Sequence, residues 1–296
     1  MKYVFIAALL YLLLSCEKEI KLKVQDQPPK LVVDASIENN STPLVVLSNS
    51  INYFSKISAA DLANTFVHSA LVTISNSTKT MLLKEYAYVD TSGYTLYYYA
   101  PDAGNTTDLF LGEFGKTYSL NIQTADGATY TSTTTIPVLA KVCDSMWWKP
   151  APYADNGNLC VMYGRFIDPP GLGNYVRYFT KINSEPFLPG FTSSFDDQVV
   201  DGITYSLAFD IGWDKNSVYK PSSDIYGYAM RGDTVTLKYC NIDKATYTFW
   251  NTWDFAWQSY GNPFSSPIKV QGNISNDALG VFSGYAVEYK TVIIPK

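Results

Sequence analysis

The stretch from Thr117 to Ile136 constrains the fold more than any other part of the chain. Tyr118, Leu120 and Ile122 alternate with polar neighbours, Asp126-Gly127 interrupts, and Tyr130 to Ile136 follows. A period of two sends successive side chains to opposite faces of a strand, and Asp-Gly supplies the positive φ that a hairpin turn needs. Similar short runs occur at Leu31 to Ile37, Leu44 to Leu47, Ala70 to Ile74 and Tyr94 to Tyr99, each bounded by turn residues. Short strands at this spacing over about a hundred residues predict an immunoglobulin-like β-sandwich over 31–138, with Ile136-Pro137 as last strand and exit.

The rest of the chain predicts a second β-rich domain over 139–296. Strand candidates are Leu159 to Ile167, Tyr175 to Ile182, Ile203 to Ile211, Asp233 to Tyr239 and Gly284 to Ile294. One helix interrupts them near 243–260. Asp243 is a good N-cap, Tyr247, Trp250, Trp253, Trp257 and Tyr260 recur at three- and four-residue steps, and Gly261-Asn262-Pro263 stops the run. The fold class is therefore mainly β with one long aromatic-faced helix. The 24 tyrosines favour strands and also suit extracellular contact surfaces, because Tyr joins an apolar ring to a polar tip.

The first residues predict export. Lys2 precedes an uncharged run from Tyr3 to Leu14 that ends in Leu13-Leu14-Ser15-Cys16. Twelve residues rise only about 18 Å as a helix, short of the roughly 20 residues that span a bilayer, so residues 1–15 read as a signal peptide. Leu13 three positions before Cys16, with small Ser15 between, resembles a lipobox, which makes Cys16 the lipidated first residue of the mature chain. Residues 16–30 are charged and end in Pro28-Pro29-Lys30, a tether that holds the folded part off the membrane. The acidic start Glu17-Lys18-Glu19 resembles surface-export signals and points to the outer face of the outer membrane.

Charge and cysteine narrow the function classes. Of 22 basic residues, removal of the leader takes Lys2, leaving 21 against 27 acidic ones. A chain so acidic repels a phosphate backbone, so nucleic acid is an unsuitable partner. Apart from Cys16 the cysteines are Cys143, Cys160 and Cys240, without Cys-x-x-Cys spacing, so a zinc or iron-sulfur site has no ligand set. Three thiols permit at most one internal disulfide in an oxidising compartment. Cys160 with Cys240 on neighbouring strands is one pairing of three, and buried free thiols are the alternative.

Several ordered segments together resemble the DUF4249 family of bacterial surface lipoproteins found beside SusC-like TonB-dependent transporters. They are Cys16 to Ile20, Pro29 to Val33, Gly112 to Tyr118 leading to Thr134-Thr135-Ile136-Pro137, Phe166-Ile167-Asp168-Pro169 before Asn174-Tyr175, Arg231 to Val235, and Pro263-Phe264 leading to Gly272-Asn273-Ile274 and Leu279 to Phe282. The resemblance implies a surface lipoprotein working with, or encoded near, a nutrient importer. It implies no catalytic residue.

Chemistry is sparse. His68 is the sole histidine, so any Ser-His-Asp or Cys-His site rests on it, and an edge-strand residue explains it better. Asp196, Asp197 and Asp201 form the densest acidic cluster, but their spacing misses the calcium-loop signature and a solvated loop accounts for them. Arg231-Gly232-Asp233 and Gly171-Leu172-Gly173 read as turns. Aromatic clusters remain as binding candidates: Tyr97 and Tyr99 in the first half and Trp147 near the junction, whereas Trp250, Trp253 and Trp257 read as helix core. The expected function is a non-enzymatic binding or accessory component of nutrient uptake, without cofactor or metal. A glycan hydrolase with paired carboxylates and an adhesion or structural surface protein are the alternatives.

Overall fold

A computed structural model describes residues 28–51, 62–90, 93–152, 156–215, 225–259, 262, 265–266 and 268–296. Cys16 and the signal peptide lie outside the described residues. The protein is mainly β, with one long helix. In the first half the strands are β1 (Leu31–Glu38), β2 (Leu44–Asn49), β3 (Leu71–Ser75), β4 (Thr80–Val89), β5 (Thr95–Pro101), β6 (Lys116–Gln123) and β7 (Thr129–Ile136). The second half holds β8 (Val142–Pro150), β9 (Leu159–Ile167), β10 (Tyr175–Ile182), β11 (Leu188–Phe195), β12 (Thr204–Phe209), β13 (Ala229–Met230), β14 (Thr234–Ile242), helix α1 (Lys244–Ser259) and β15 (Leu279–Ile293).

Eleven strands form one sheet in the order β11-β10-β14-β15-β1-β2-β5-β4-β3-β6-β7. The seven first-half strands follow one another within it and curl until β7 returns over β15. There the Ser275 N–H donates to the Thr131 carbonyl at 2.9 Å, and Ser132 Oγ donates to the Asn273 carbonyl at 2.8 Å. One sheet folded on itself thus encloses the first core, where alternate residues of β1 (Leu31, Val33, Ala35, Ile37) meet Leu120 and Ile122 of β6. The expected hairpin is present, with Gly127 at φ +89° and β6 and β7 in antiparallel register from Lys116 opposite Ile136 to Gln123 opposite Thr129.

The halves share a strand. Residues 279–285 of β15 pair in parallel with β1, and residues 285–293 pair antiparallel with β14. Phe282 and Ala286 enter the first-half core, Tyr285 and Val287 a small central cluster, and Ile294, just past the strand, the second-half core. Each half has its own core, but the first is completed by a strand from the second half of the chain. Gly280 permits the junction: at φ +103° a Cβ there would lie 1.9 Å from the Val33 carbonyl oxygen.

A second sheet stacks on the β10–β14 side, with β9 flanked by β12 and β13 on one edge and β8 on the other. Helix α1 covers the space beside β11. Asp243 caps it, accepting from Thr246 N–H at 2.8 Å through Oδ1, while Oδ2 accepts from Thr135 N–H and Thr134 Oγ1, each at 2.9 Å. One carboxylate thereby satisfies a helix start and ties it to β7.

The proposed Cys160–Cys240 bridge is not made. All three described cysteines are free and buried, Cys160 in the second-half core between β9 and β13 and Cys240 in the central cluster. Intervening core side chains, not a neighbouring thiol, fill the space around each. Burial pushes the Cys143 and Cys240 thiols up to about 12, which removes the reactive thiolate at neutral pH.

Two predictions follow from this shared core and these thiols. Phe282→Ala removes a fully buried ring from the first-half core and lowers stability by roughly 3–5 kcal/mol. Because all six tryptophans lie in the second half, their emission in a urea titration checks the coupling: the tryptophan transition moves with the far-ultraviolet dichroism of the whole chain. A Cys16→Ser protein unfolded without reductant titrates three thiols, whereas a Cys160–Cys240 disulfide would leave one.

Candidate functional site

Where β11, β10 and β14 face β12 and β9, the two sheets leave a cavity of about 610 Å³. Its walls are largely aromatic. Phe166 stacks on Tyr205 at 5.6 Å and tilts against Tyr239 at 5.1 Å, while Tyr178 stacks on Phe195 at 6.2 Å and meets Phe209 edge-on at 6.0 Å. Alternation places these rings on the inner face of each strand. Tyr178 reaches its place because position 190 is glycine: a Cβ there would lie 1.9 Å from the Tyr178 hydroxyl oxygen.

The segment after β12 closes one end of the cup. Ile211 N–H donates to the Gly227 carbonyl, Gly212 N–H to Thr180 Oγ1 at 2.6 Å, and Trp213 N–H to the Pro189 carbonyl, which carries the chain across to β10 and β11. Helix α1 contributes Tyr247 and Asn251 to the opposite side. The mouth keeps apolar residues in solvent: Phe195, Leu207 and, 90% exposed, Val199.

Few polar groups face this space. The Ser194 hydroxyl is buried without a hydrogen-bond partner among the described residues. Asp196 Oδ2 accepts from the Tyr247 hydroxyl at 3.1 Å, and burial together with that carboxylate pushes the Tyr247 phenol up to about 12. Asp210 lines the cavity, and partial burial raises its pKa from the ordinary aspartate value. Burial likewise raises the Tyr178, Tyr205 and Tyr239 phenols, so all three stay protonated at neutral pH.

A second cavity of about 380 Å³, between α1, β1 and β10, is committed to holding the helix in place. The Arg177 guanidinium lies 3.3 Å from the Trp250 ring centre and donates to Ser193 Oγ and the Tyr285 hydroxyl. Lys215 pairs with Asp254 at 2.7 Å, both almost fully buried. Lys215 and Asp254 thus neutralise each other, and Arg177 is held by a ring face and two hydroxyl oxygens.

Of the aromatic candidates read from the sequence, none lines the larger cavity, whereas Asp196 of the acidic cluster does. Tyr99 is a correction: it is buried in the first-half core, and its hydroxyl donates to the Val67 carbonyl at 2.8 Å and accepts from Ala70 N–H. Tyr97 is half-buried against Phe66 and the His68 ring, and His68 is itself held by Glu85. Trp147 stacks on Tyr163 at 5.9 Å on the outer face of β8 and β9. The acidic cluster is rearranged too. Asp197 and Asp201 gather with Asp168 rather than Asp196, and N–H groups of the 171–174 turn serve them. Asp197 accepts from Gly173 and Asn174, Asp201 from Gly171, and Asp168 pairs with fully buried Lys141 at 3.0 Å. Donors already present do what a cation would do there.

The fold and the cup define a mainly β protein with an aromatic-walled cavity. The family described as "Domain of unknown function (DUF4249)" matches residues 17–291, and the chain belongs to it. No curated protein matches the chain.

Asp197 supplies a stability test. Burial alone would raise its pKa, but the N–H groups of Asn174 and Gly173 outweigh burial and hold it below the usual range. A depressed folded pKa means that its contribution is present above the unfolded value, about 3.9, and is lost as pH falls through the folded one. Asp197→Ala leaves those donors unpaired, costs roughly 1–3 kcal/mol at pH 7, and flattens the acid limb of a stability-against-pH curve.

Proposed function

We propose that this chain is a non-enzymatic, lipid-anchored protein of the outer-membrane surface that captures a small, largely apolar ligand as an accessory component of a TonB-dependent nutrient uptake system. The observation that carries the capture reading is the cavity of about 610 Å³, walled by rings from several strands and open through an apolar mouth. Sites of this size, with a few polar groups set among apolar walls, bind small molecules. Membrane attachment rests on the lipobox-like residues before Cys16, and the transporter partnership on the family resemblance.

Asp196 and Asp210 lining the same cavity favour a second reading, a glycan hydrolase that uses this pair of carboxyls. The capture reading expects no turnover of any member of a polysaccharide panel. If turnover occurs and Asp210→Asn abolishes it while the fold persists, the hydrolase reading replaces capture.

Capture is tested with Nile red, an uncharged dye that brightens in apolar sites. Leu207→Trp places a large ring at the mouth, where Leu207 is 44% exposed, so it weakens dye binding at least about tenfold while stability moves by no more than roughly 0.5 kcal/mol. Unchanged binding would rule out this cavity as the dye site. For the partnership, a mild-detergent pull-down through a C-terminal tag recovers an outer-membrane β-barrel. Recovery of none under several nutrient conditions removes that part of the proposal.

A further inference from the structure

The charge of the cup is one-sided. Among the described residues that line it, Asp196 and Asp210 alone carry a formal charge, and neither Lys, Arg nor His is one of them. The remaining wall presents ring faces, which carry the negative end of the aromatic quadrupole. Ser194 adds a buried hydroxyl oxygen that no described donor reaches.

Each ligand class meets this lining differently. A carboxylate or phosphate would face two carboxyl groups and the ring faces, while the buried cation behind the wall, Lys141, 5.6 Å from the Tyr205 ring centre, is already paired with Asp168. A neutral apolar molecule would fill the volume but leave the buried Ser194 oxygen without a donor, an unfavourable state for a group cut off from water, and would leave the Asp210 carboxyl without an ion partner. An ammonium supplies both needs, since its N–H groups donate to these oxygens and its charge is attracted to ring faces. The exposed apolar mouth at Phe195, Val199 and Leu207 suits the body that carries the ammonium.

We propose that the cup selects amphipathic organic cations, amines whose aromatic or aliphatic body lies against the rings and whose protonated nitrogen is taken by Asp210 at one end or by Asp196 beside Ser194 at the other. This rests on the reading of the cavity as a ligand site. Asp196 is already oriented for the task by Tyr247 and by the Gln198 N–H, with lone pairs to spare. Asp210 has no counter-charge within the lining, so a bound ammonium becomes its ion partner.

The test uses the mature chain with Nile red in the cavity and three competitors of one shape at neutral pH: 4-phenylbutylamine, 4-phenylbutanol and 4-phenylbutyrate. The amine displaces the dye at a concentration at least about tenfold lower than the alcohol, and the carboxylate is the weakest of the three. In the double variant Asp196→Asn with Asp210→Asn the amine-to-alcohol ratio shrinks to within about threefold; the two single variants show which carboxyl holds the nitrogen and keep the test informative if the double variant does not fold. Equal displacement by amine and alcohol overturns the cation selectivity while leaving the ligand site standing. So does dye binding that Leu207→Trp removes but no competitor displaces. Failure of the dye to bind at all overturns both.

Discussion

A strand whose first half pairs with β1 and whose second half pairs with β14 cannot be completed until both halves of the chain have presented an edge to it. That condition governs the architecture. The parallel pairing brings together segments near the two ends of the chain, a closure whose entropic cost is offset only when Phe282 and Ala286 reach the first-half core. Polar side chains then lock the seam. Asn39 Oδ1 accepts from Val287 N–H at 2.6 Å, and Asn273 bonds both the N–H and the carbonyl of Phe282 at 2.8 Å. Without β15 the first-half sheet would expose the edge of β1 and the apolar face that Phe282 covers, so neither half is self-sufficient.

Buried charge reinforces the same seam. Lys141, where the chain enters the second half, is buried with its ammonium 3.0 Å from Asp168 and its backbone bonded on both sides to the Asn241 side chain. Lys215 with Asp254 does the equivalent between the loop after β12 and α1. Pairs of this kind add little net stability over apolar substitutes, because desolvation of both ions offsets their attraction, but losing one partner strands a buried charge. Their effect here is geometric. They admit one placement of the 168–174 turn and one placement of the helix, and the walls of the cup follow from both.

Much of the fold was legible in the sequence, and for local reasons. The Asp126-Gly127 hairpin, the Asp243 cap and the strands β9 and β10 depend on periodicity and turn chemistry within a few residues. Strand β11 was not legible, since Leu188-Pro189-Gly190-Phe191 offers no alternation and contains two residues that strands disfavour; Gly190 is there to admit the Tyr178 hydroxyl, a contact no local pattern announces. The candidate site was hidden for the same reason. Tyr178, Ser194, Tyr205 and Asp210 come from separate elements and share only the cavity they face. Runs of adjacent tyrosines drew attention to Tyr97 and Tyr99 instead, although neighbours on a strand face opposite ways and Tyr99 points into the core. The acidic cluster was misread by one position, because Asp196 turns to the cup and Asp197 to the 171–174 turn.

The position of the cup determines how occupancy acts on the rest of the molecule. Three of its wall strands, β11, β10 and β14, belong to the long sheet, and β14 pairs along nine residues with β15. The wall is therefore held in place by the element that completes the first-half core, and the cavity exists before any ligand arrives. A preformed site spends little binding free energy on ordering its walls, so affinity reflects ring contact and the fit of a few polar atoms. Ligand bound to the folded state alone stabilises it by mass action, and the seam distributes that stabilisation over both halves. The side of the cup that contacts solvent, from Phe195 to Leu207, lies away from β15 and carries none of the seam's polar bonds. Ligand preference is thus free to change at the mouth without disturbing the strand on which the fold depends.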